Sequence, residues 1–412
     1  MQTGKENKPA SNNLRFALIA LCGCLISALN NGVRVNYGLI ASAIEETTQF
    51  AAAEISFAIA LAQLLYGVAQ PFFGALALRK TNSGVLALGA LMLCAGFPLI
   101  PFCTHVWMLD LIFGVLIGGG TGAMAFGLVM SAVTPVLGEK RAAAVSGIIN
   151  GAGGIGGSVL APVAQSLFDR GGLHLLMPGL SAIAALIAVL CVWLRSAEKH
   201  AETDHVQTEA DTETAAGRKF KDILKSRDFM HLALAFFTCG FFMAIIETQL
   251  YAQIIGLGFS GQTAAFAFTV YGIFAMIGPV IAGFLCVKIR CKWVLGSLYA
   301  LRPAAVIAFL LMPKTVYAVY FFVVILGLIG NATVPPTTNL LSKLYGARNL
   351  GLLSGIAFVF HQIGSFLSTY LGGLLLSGTG SRTPIWLIGA VFAAAAAVLS
   401  YTVREPLQSG QQ

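Results

Sequence analysis

The sequence predicts an all-α membrane protein of twelve transmembrane helices arranged as two pseudo-symmetric six-helix bundles. Three observations predict it. Apolar runs long enough to cross a bilayer recur along the whole chain, basic residues crowd into alternate gaps between those runs, and the two halves repeat at a nearly constant offset.

The apolar runs come first. Charged residues make up 10% of the 412 and hydrophobic residues 57%, with a mean hydropathy of +0.82. A soluble domain carries about a quarter charged residues, so this composition calls for lipid as solvent. A bilayer core about 30 Å thick needs about 20 apolar residues per helix. Suitable runs fall near 16–41, 55–78, 84–103, 107–137, 142–168, 173–194, 229–256, 263–287, 293–312, 315–341, 350–376 and 384–403. The first follows Lys5, Lys8 and Arg15. It is too long for a signal-peptide core and lacks a small-residue cleavage site, so it reads as span 1.

The gaps set orientation. With both termini in the cytoplasm, twenty Lys and Arg residues fall in inside segments and three (Arg170, Lys314, Arg382) outside, while Arg34 and Arg302 lie within spans. That asymmetry is the positive-inside pattern, and it predicts a multi-pass protein of the bacterial inner membrane. The net charge of +8 therefore reports topology and not nucleic-acid binding, since the basic residues form no single patch. The domains read as a cytoplasmic N-terminus 1–15, a six-helix bundle 16–195, a cytoplasmic linker 196–228, a second bundle 229–403 and a cytoplasmic C-terminus 404–412. The linker is rich in Glu, Thr, Asp and Ala through Gly217, too polar to pack a core. Its end differs. Phe220, Ile223 and Leu224 share one helical face among Lys219, Lys221, Lys225 and Arg227, which predicts a short helix on the cytoplasmic leaflet.

The repeat comes third. GEKRAAAVSGI (138–148) matches GARNLGLLSGI (346–356) at an offset of 208. Gly74, Leu76, Arg79 and Leu86 match Gly283, Leu285, Lys288 and Leu295 at 209, and Gly32 matches Gly240 at 208. Duplicated six-helix halves predict a binding site between them near the bilayer midplane.

These residues resemble the major facilitator superfamily over nearly the whole chain. Its loop signature, G-x-L-x-D-R-x-G-x-x-x-x-L, stands here as Gly74-Ala75-Leu76-Ala77-Leu78-Arg79-Lys80 through Leu86, with Leu78 in the acid's place and Thr81 in the second glycine's; the second copy has Val287 at the acid position. The resemblance implies that Gly74, Arg79, Gly283, Lys288, Arg141 and Arg348 serve gating, here without the acid of the usual latch in either copy. Within the superfamily the chain is similar to the bacterial branch related to monocarboxylate and oxalate/formate carriers. Gly32-Val33-Arg34 with Tyr37-Gly38, Gly118-Gly119-Gly120-Thr121-Gly122, Thr333-Val334-Pro335 and His361-Gln362-Ile363-Gly364 carry that likeness, whereas Thr248-Gln249-Leu250 departs from the Thr-His-Leu common in relatives.

A charge at mid-bilayer costs about 2.5–3.5 kcal/mol on insertion scales, so each needs a reason. Asn30, Arg34 and Tyr37 share a face of span 1, where a guanidinium with amide and phenol donors can hold a carboxylate or tie helices together. His361 in span 11, beside Gln362, can change charge near neutral pH or bond a neighbouring helix. Glu247 in span 7 suits proton coupling, or partnership with Arg34. Arg302, in a span that is peripheral in this fold, reads as structural with a substrate role as the alternative. Gln63, Tyr66 and Gln70 share a face of span 2, and Asn331, Thr333 and Thr337 lie in span 10, as cavity lining or packing glue. The predicted substrate-binding set is Arg34, Asn30, Tyr37, Gln63, Tyr66, Asn331, His361 and Gln362, with Glu247 and His361 for proton coupling.

No nucleophile–base set, phosphate loop or metal spacing is present in the sequence. The eight cysteines lie mostly inside apolar runs and read as small buried residues. The glycine-rich runs 118–122 and 151–157 predict close helix approach, and Pro162 and Pro335-Pro336 predict that spans 5 and 10 kink or soften. The expectation is a monomeric secondary transporter without cofactor, not an enzyme. It would move a small organic anion coupled to protons or to exchange. The alternative is a proton-antiport exporter of hydrophobic drugs or metabolites.

Overall fold

A computed structural model describes residues 9–137, 139–202, 220–345 and 347–405. Every regular element in them is helical. Eleven helices are long and apolar enough to cross a membrane, and the longest, Glu139–Glu202, is two spans joined at Gly171-Gly172, where the helical dihedrals fail. Gly172 sits at φ +59°, a left-handed conformation that costs glycine little. Twelve spans result, and the first and last described residues, Pro9 and Glu405, fall on one side of the bundle. That side is called the terminal side below, and the opposite one the far side.

Span 1 runs Pro9–Val35 and resumes as Tyr37–Thr47 after a break at Asn36. The Asn36 amide takes up the loosened backbone, donating to Gly32 O at 2.8 Å and to Gly157 O of span 5 at 3.2 Å. Span 2 is Ala52–Arg79 and span 3 begins with Asn82–Leu99. Span 4 crosses 106–137 with a break at Met124. Spans 7, 8 and 9 are Arg227–Gly256, Gly261–Lys288 and Cys291–Leu311. Span 10 is Val316–Gly330 and Val334–Tyr345 around a 3₁₀ turn, Asn331–Thr333. Spans 11 and 12 are Ala347–Thr379 and Thr383–Tyr401. Side-chain caps at Thr81, Ser226, Ser260 and Thr315 accept the first free backbone N–H groups of four of these helices.

The repeat is visible in packing as well as in sequence. Gly156 of span 5 lies on the Ala28 carbonyl of span 1, and Gly364 of span 11, 208 residues later, lies on the Phe237 carbonyl of span 7. Gly32 lies on the Gly156 carbonyl, and its counterpart Gly240 lies on the carbonyl of His361, three residues before Gly364. A methyl group at any of these glycines would strike backbone, so the crossings 1×5 and 7×11 require their absence. The breaks at Met124 and Asn331–Thr333 correspond too.

The backbone stays helical through Pro162. The carbonyl four residues earlier, which proline cannot satisfy, instead accepts Thr269 Oγ1 of span 8 at 2.7 Å. The helix Phe220–Leu224 does form, but Ile223 is buried and Leu224 packs on the core, so its apolar face turns to the protein rather than to the leaflet. The remainder of the expected linker, 203–219, lies outside the described residues.

The halves are joined from mid-depth to the far side. There, besides the Thr269 bond, Tyr251 OH of span 7 donates to Gln165 Oε1 of span 5, whose amide donates to Asp169 at 2.6 Å. Arg382 meets Glu45 at 4.0 Å. Gly373 lies on Ser56, and Phe57 packs edge-on against Tyr370. Toward the terminal side, positions Gly74, Gly127, Gly283 and Gly355 have open space where a side chain would point.

At that same side the chain end is stapled to the second bundle. Glu405 Oε1 and Oε2 accept the backbone N–H groups of Cys291 and Lys292 at 3.1 and 3.0 Å, capping span 9, and Lys343 Nζ of span 10 donates to Oε1 at 2.8 Å. Arg290 donates to the Glu405 carbonyl at 2.6 Å. Burial works to raise the Glu405 pKa, but these hydrogen bonds and the Lys343 charge outweigh it and hold the carboxyl below the usual range.

Candidate functional site

Three spans bring the buried charges together where the halves meet. Arg34 is the last helical turn of span 1 before the Asn36 break, Gln63 lies mid-way along span 2, and Glu247 projects from span 7 in the other half. All three are buried. Arg34 Nη2 donates to Gln63 Oε1 at 3.1 Å, and Gln63 Nε2 donates to Glu247 Oε2 at 2.6 Å. The guanidinium and carboxylate approach directly to 3.7 Å. Gln63 thus uses its acceptor on the cation and its donor on the anion, and so fixes which way its amide faces.

The walls are aromatic and amide. The Arg34 guanidinium lies 3.9 Å from the centre of the Tyr66 ring, a cation–π contact. Tyr66 leans edge-on against Phe358 of span 11. Gln362 Nε2 donates to the Gln63 carbonyl at 3.1 Å, so span 11 closes the site from the second half. Close approach is possible because Gly38 packs on the carbonyls of Glu247 and Thr248, and Gly67 packs on Gln362.

The arrangement leaves binding capacity unused. Arg34 Nε, Tyr37 OH and Asn30 Oδ1 are buried without hydrogen-bond partners. An unpaired buried donor costs about 1–3 kcal/mol, and a guanidinium with spare N–H groups beside a phenol is suited to a carboxylate. At an effective dielectric of 20, unit charges about 4 Å apart attract by about 4 kcal/mol. Glu247 is therefore the anion that holds Arg34 in this arrangement.

The predicted residues divide accordingly. Arg34, Gln63, Tyr66, Gln362 and Glu247 come together. Tyr37 is fully buried nearby, edge-on to Phe113. Asn30 is engaged in holding span 1 to span 4, its amide donating to Met124 O at 2.8 Å. His361 is half-buried, stacked on Phe358 with ring centroids 5.3 Å apart, and its Nδ1 is 3.1 Å from Gln362 Oε1. It adjoins the site through Gln362 rather than through Arg34. Asn331 opens the 3₁₀ turn of span 10, half-buried. Arg302 lies inside the second half, away from the Arg34 cluster, with Nη2 on the Gly330 carbonyl at 2.8 Å. Gly74 and Gly283 face open space, and Arg79 and Lys288 are exposed at the terminal side. The side chains of Arg141 and Arg348 lie outside the described residues. Sequence reasoning missed the Tyr251–Gln165–Asp169 chain. Gln165 and Asp169, four residues apart near the end of span 5, were the available signal.

Comparison with known proteins fits this architecture. The family model described as Major Facilitator Superfamily matches residues 20–369 and 254–412, and the chain belongs to that superfamily of membrane transporters. Among its relatives is the Uncharacterized MFS-type transporter YcxA of Bacillus subtilis, 28% identical over 355 residues and covering 84% of each chain. Monocarboxylate transporter 12 of Xenopus laevis is 24% identical, over 74% of this chain and 70% of its own length. The crystal structure of a D-xylose-proton symporter superposes with a TM-score of 0.71 over 94% of this chain and 97% of that one, at 13% identity, a likeness of fold.

Proposed function

We propose that this transporter moves a small organic anion of the monocarboxylate type across the bacterial inner membrane by alternating access, coupled to protons or to exchange. The observation that carries the reading is the Arg34–Gln63–Glu247 array, a cation from one half paired with an acid from the other. Protonation of Glu247 frees Arg34 for a substrate carboxylate. Loss of the anion lets the internal pair re-form. The cycle thus never leaves the guanidinium without an anion or a hydrogen-bonding partner, a state that would cost several kcal/mol in a low-dielectric site. Relatives whose names specify monocarboxylates support the substrate class.

The termini lie in the cytoplasm on this reading, as the basic-residue bias indicates. The far-side contacts then close the periplasmic entrance, and the structure is the inward-facing state. His361 and Gln362 line the path from the second half, and the glycines and basic residues of the terminal-side loops act in closing that side.

The test is uptake of labelled lactate, formate and oxalate into proteoliposomes under an imposed pH gradient. Accumulation of at least one acid, abolished by Arg34→Ala, is expected. Absence of uptake of any small acid, with efflux of a hydrophobic dye instead, would replace this reading with drug export.

A further inference from the structure

The wall beside Arg34 is aromatic, and a small hydrophilic acid would leave it bare. Tyr66 of span 2 carries the guanidinium over its ring face, 3.9 Å from the ring centre. Tyr66 meets Phe358 of span 11 edge-on, with centroids 6.1 Å apart. Phe358 in turn stacks on His361, one turn further along span 11, at 5.3 Å and 7° between planes. Phe236 of span 7 tilts against both, 5.0 Å from His361 and 6.5 Å from Phe358. Three spans drawn from both halves thus set four rings in one continuous surface that begins at the cation.

That surface faces the space between the halves. At 3.6 residues per turn, Phe358 points between Gln362 and Ser365 on span 11. Gln362 reaches the Gln63 carbonyl of span 2, and Ser365 Oγ donates to the Gly240 carbonyl of span 7 at 3.0 Å. The exposed apolar residues of this stretch, Val359 and Ile363, lie about 100° and 140° further round the helix. Phe358 and His361 are nevertheless only half-buried, so their open surface borders the gap between spans 2 and 7. Gly355, one turn before Phe358, has open space beside it on the terminal side. The wall is also held in a fixed plane. Gln362 gives its Nε2 to the Gln63 carbonyl, which leaves Oε1 to accept from His361 Nδ1 at 3.1 Å.

We infer that the cargo is an arenecarboxylate, an acid whose aromatic ring stands one or two bonds from its carboxylate. This rests on the anion reading of Arg34 given above and names the class of acid. The carboxylate takes Arg34, and the ring lies against Tyr66 and Phe358. Formate, oxalate and lactate carry almost no apolar surface with which to cover these rings. An arene removes them from water and adds edge-on or offset contacts of its own.

Isothermal titration of the purified full-length transporter compares phenylacetate with cyclohexylacetate, which matches it in length and charge and is at least as apolar but has no π face. Phenylacetate should bind about tenfold tighter, from two ring contacts that contribute about two- to tenfold each, and lactate should bind more weakly than either. Phe358→Leu should bring the two ring acids within about twofold of each other, and Phe358→Tyr should restore the gap. Equal affinity of the two ring acids in the wild type, a gap that survives Phe358→Leu, or tighter binding of lactate overturns the inference and leaves Arg34 as an anion site. Binding of none of the three acids overturns the anion reading itself, and this inference with it. If Phe358→Leu does not accumulate, the wild-type comparison decides alone.

Discussion

Glu247→Gln tests the central array most sharply, because it removes a charge while keeping shape and the Gln63 contact. In the wild type the carboxylate sits 3.7 Å from Arg34 Nη2 and 2.6 Å from the Gln63 amide. The attraction is about 4 kcal/mol at an effective dielectric of 20, and a substrate anion must overcome it. Glutamine still hydrogen-bonds Gln63, so part of that competition persists. Removing the rest should tighten anion binding by about 1.4–2.8 kcal/mol, which is about tenfold to a hundredfold. In the proposed cycle the same change deletes the proton acceptor. Binding should therefore lose its pH dependence, and uphill uptake should fall to background while exchange of internal for external anion persists. Isothermal titration with the best substrate at two pH values, beside counterflow in proteoliposomes, reads both effects. Weaker binding with intact pH-driven accumulation would show that Glu247 neither competes for Arg34 nor couples the cycle.

Arg34→Lys keeps the charge but loses the planar fork that serves Gln63 and the Tyr66 face together; transport should drop at least tenfold with little change in melting temperature. Gly156→Ala places a methyl group on the Ala28 carbonyl and should destabilise the 1×5 crossing by about 1–3 kcal/mol, seen as a lower melting temperature in detergent, with Gly364→Ala doing the same at 7×11. Glu405→Gln weakens a charge-assisted staple worth about 1.5–3 kcal/mol. Because the folded-state pKa of Glu405 lies below its reference of 4.5, its stabilisation is complete above that reference and is lost as pH falls through the lowered value. The melting-temperature difference between wild type and Glu405→Gln should therefore be largest near neutrality and shrink on acidification below about pH 4.5; a difference that grows in acid contradicts the assignment.

The twelve-span fold was legible because solvent imposes it. Runs of about 20 apolar residues have few alternatives in a bilayer, and the 208-residue repeat reappears as the matched contacts of Gly156 and Gly364. Arg34, Glu247 and Gln63 could be singled out because each breaks an apolar run. Partnership of Glu247 with Arg34 was one of two open readings; the Gln63 bridge between them was not foreseen, since Gln63 and Glu247 are 184 positions apart and only the docking of the halves brings them together. The fate of the carbonyl that Pro162 orphans was hidden for the same reason, because its donor, Thr269, lies in the other half. Glu405 lies just past span 12, where sequence pattern carries no signal for a cap on a helix 114 positions earlier.

The vacant ground beside Gly74 and Gly283 offers a handle for experiment. A first side-chain carbon at either position meets nothing within 4 Å, so a bulky residue such as tryptophan, added there, would stand in the way when the terminal side draws together. Such a wedge would lock the molecule in one posture, homogeneous enough for cryo-microscopy or antibody selection, and leave ligand affinity from the unobstructed face measurable.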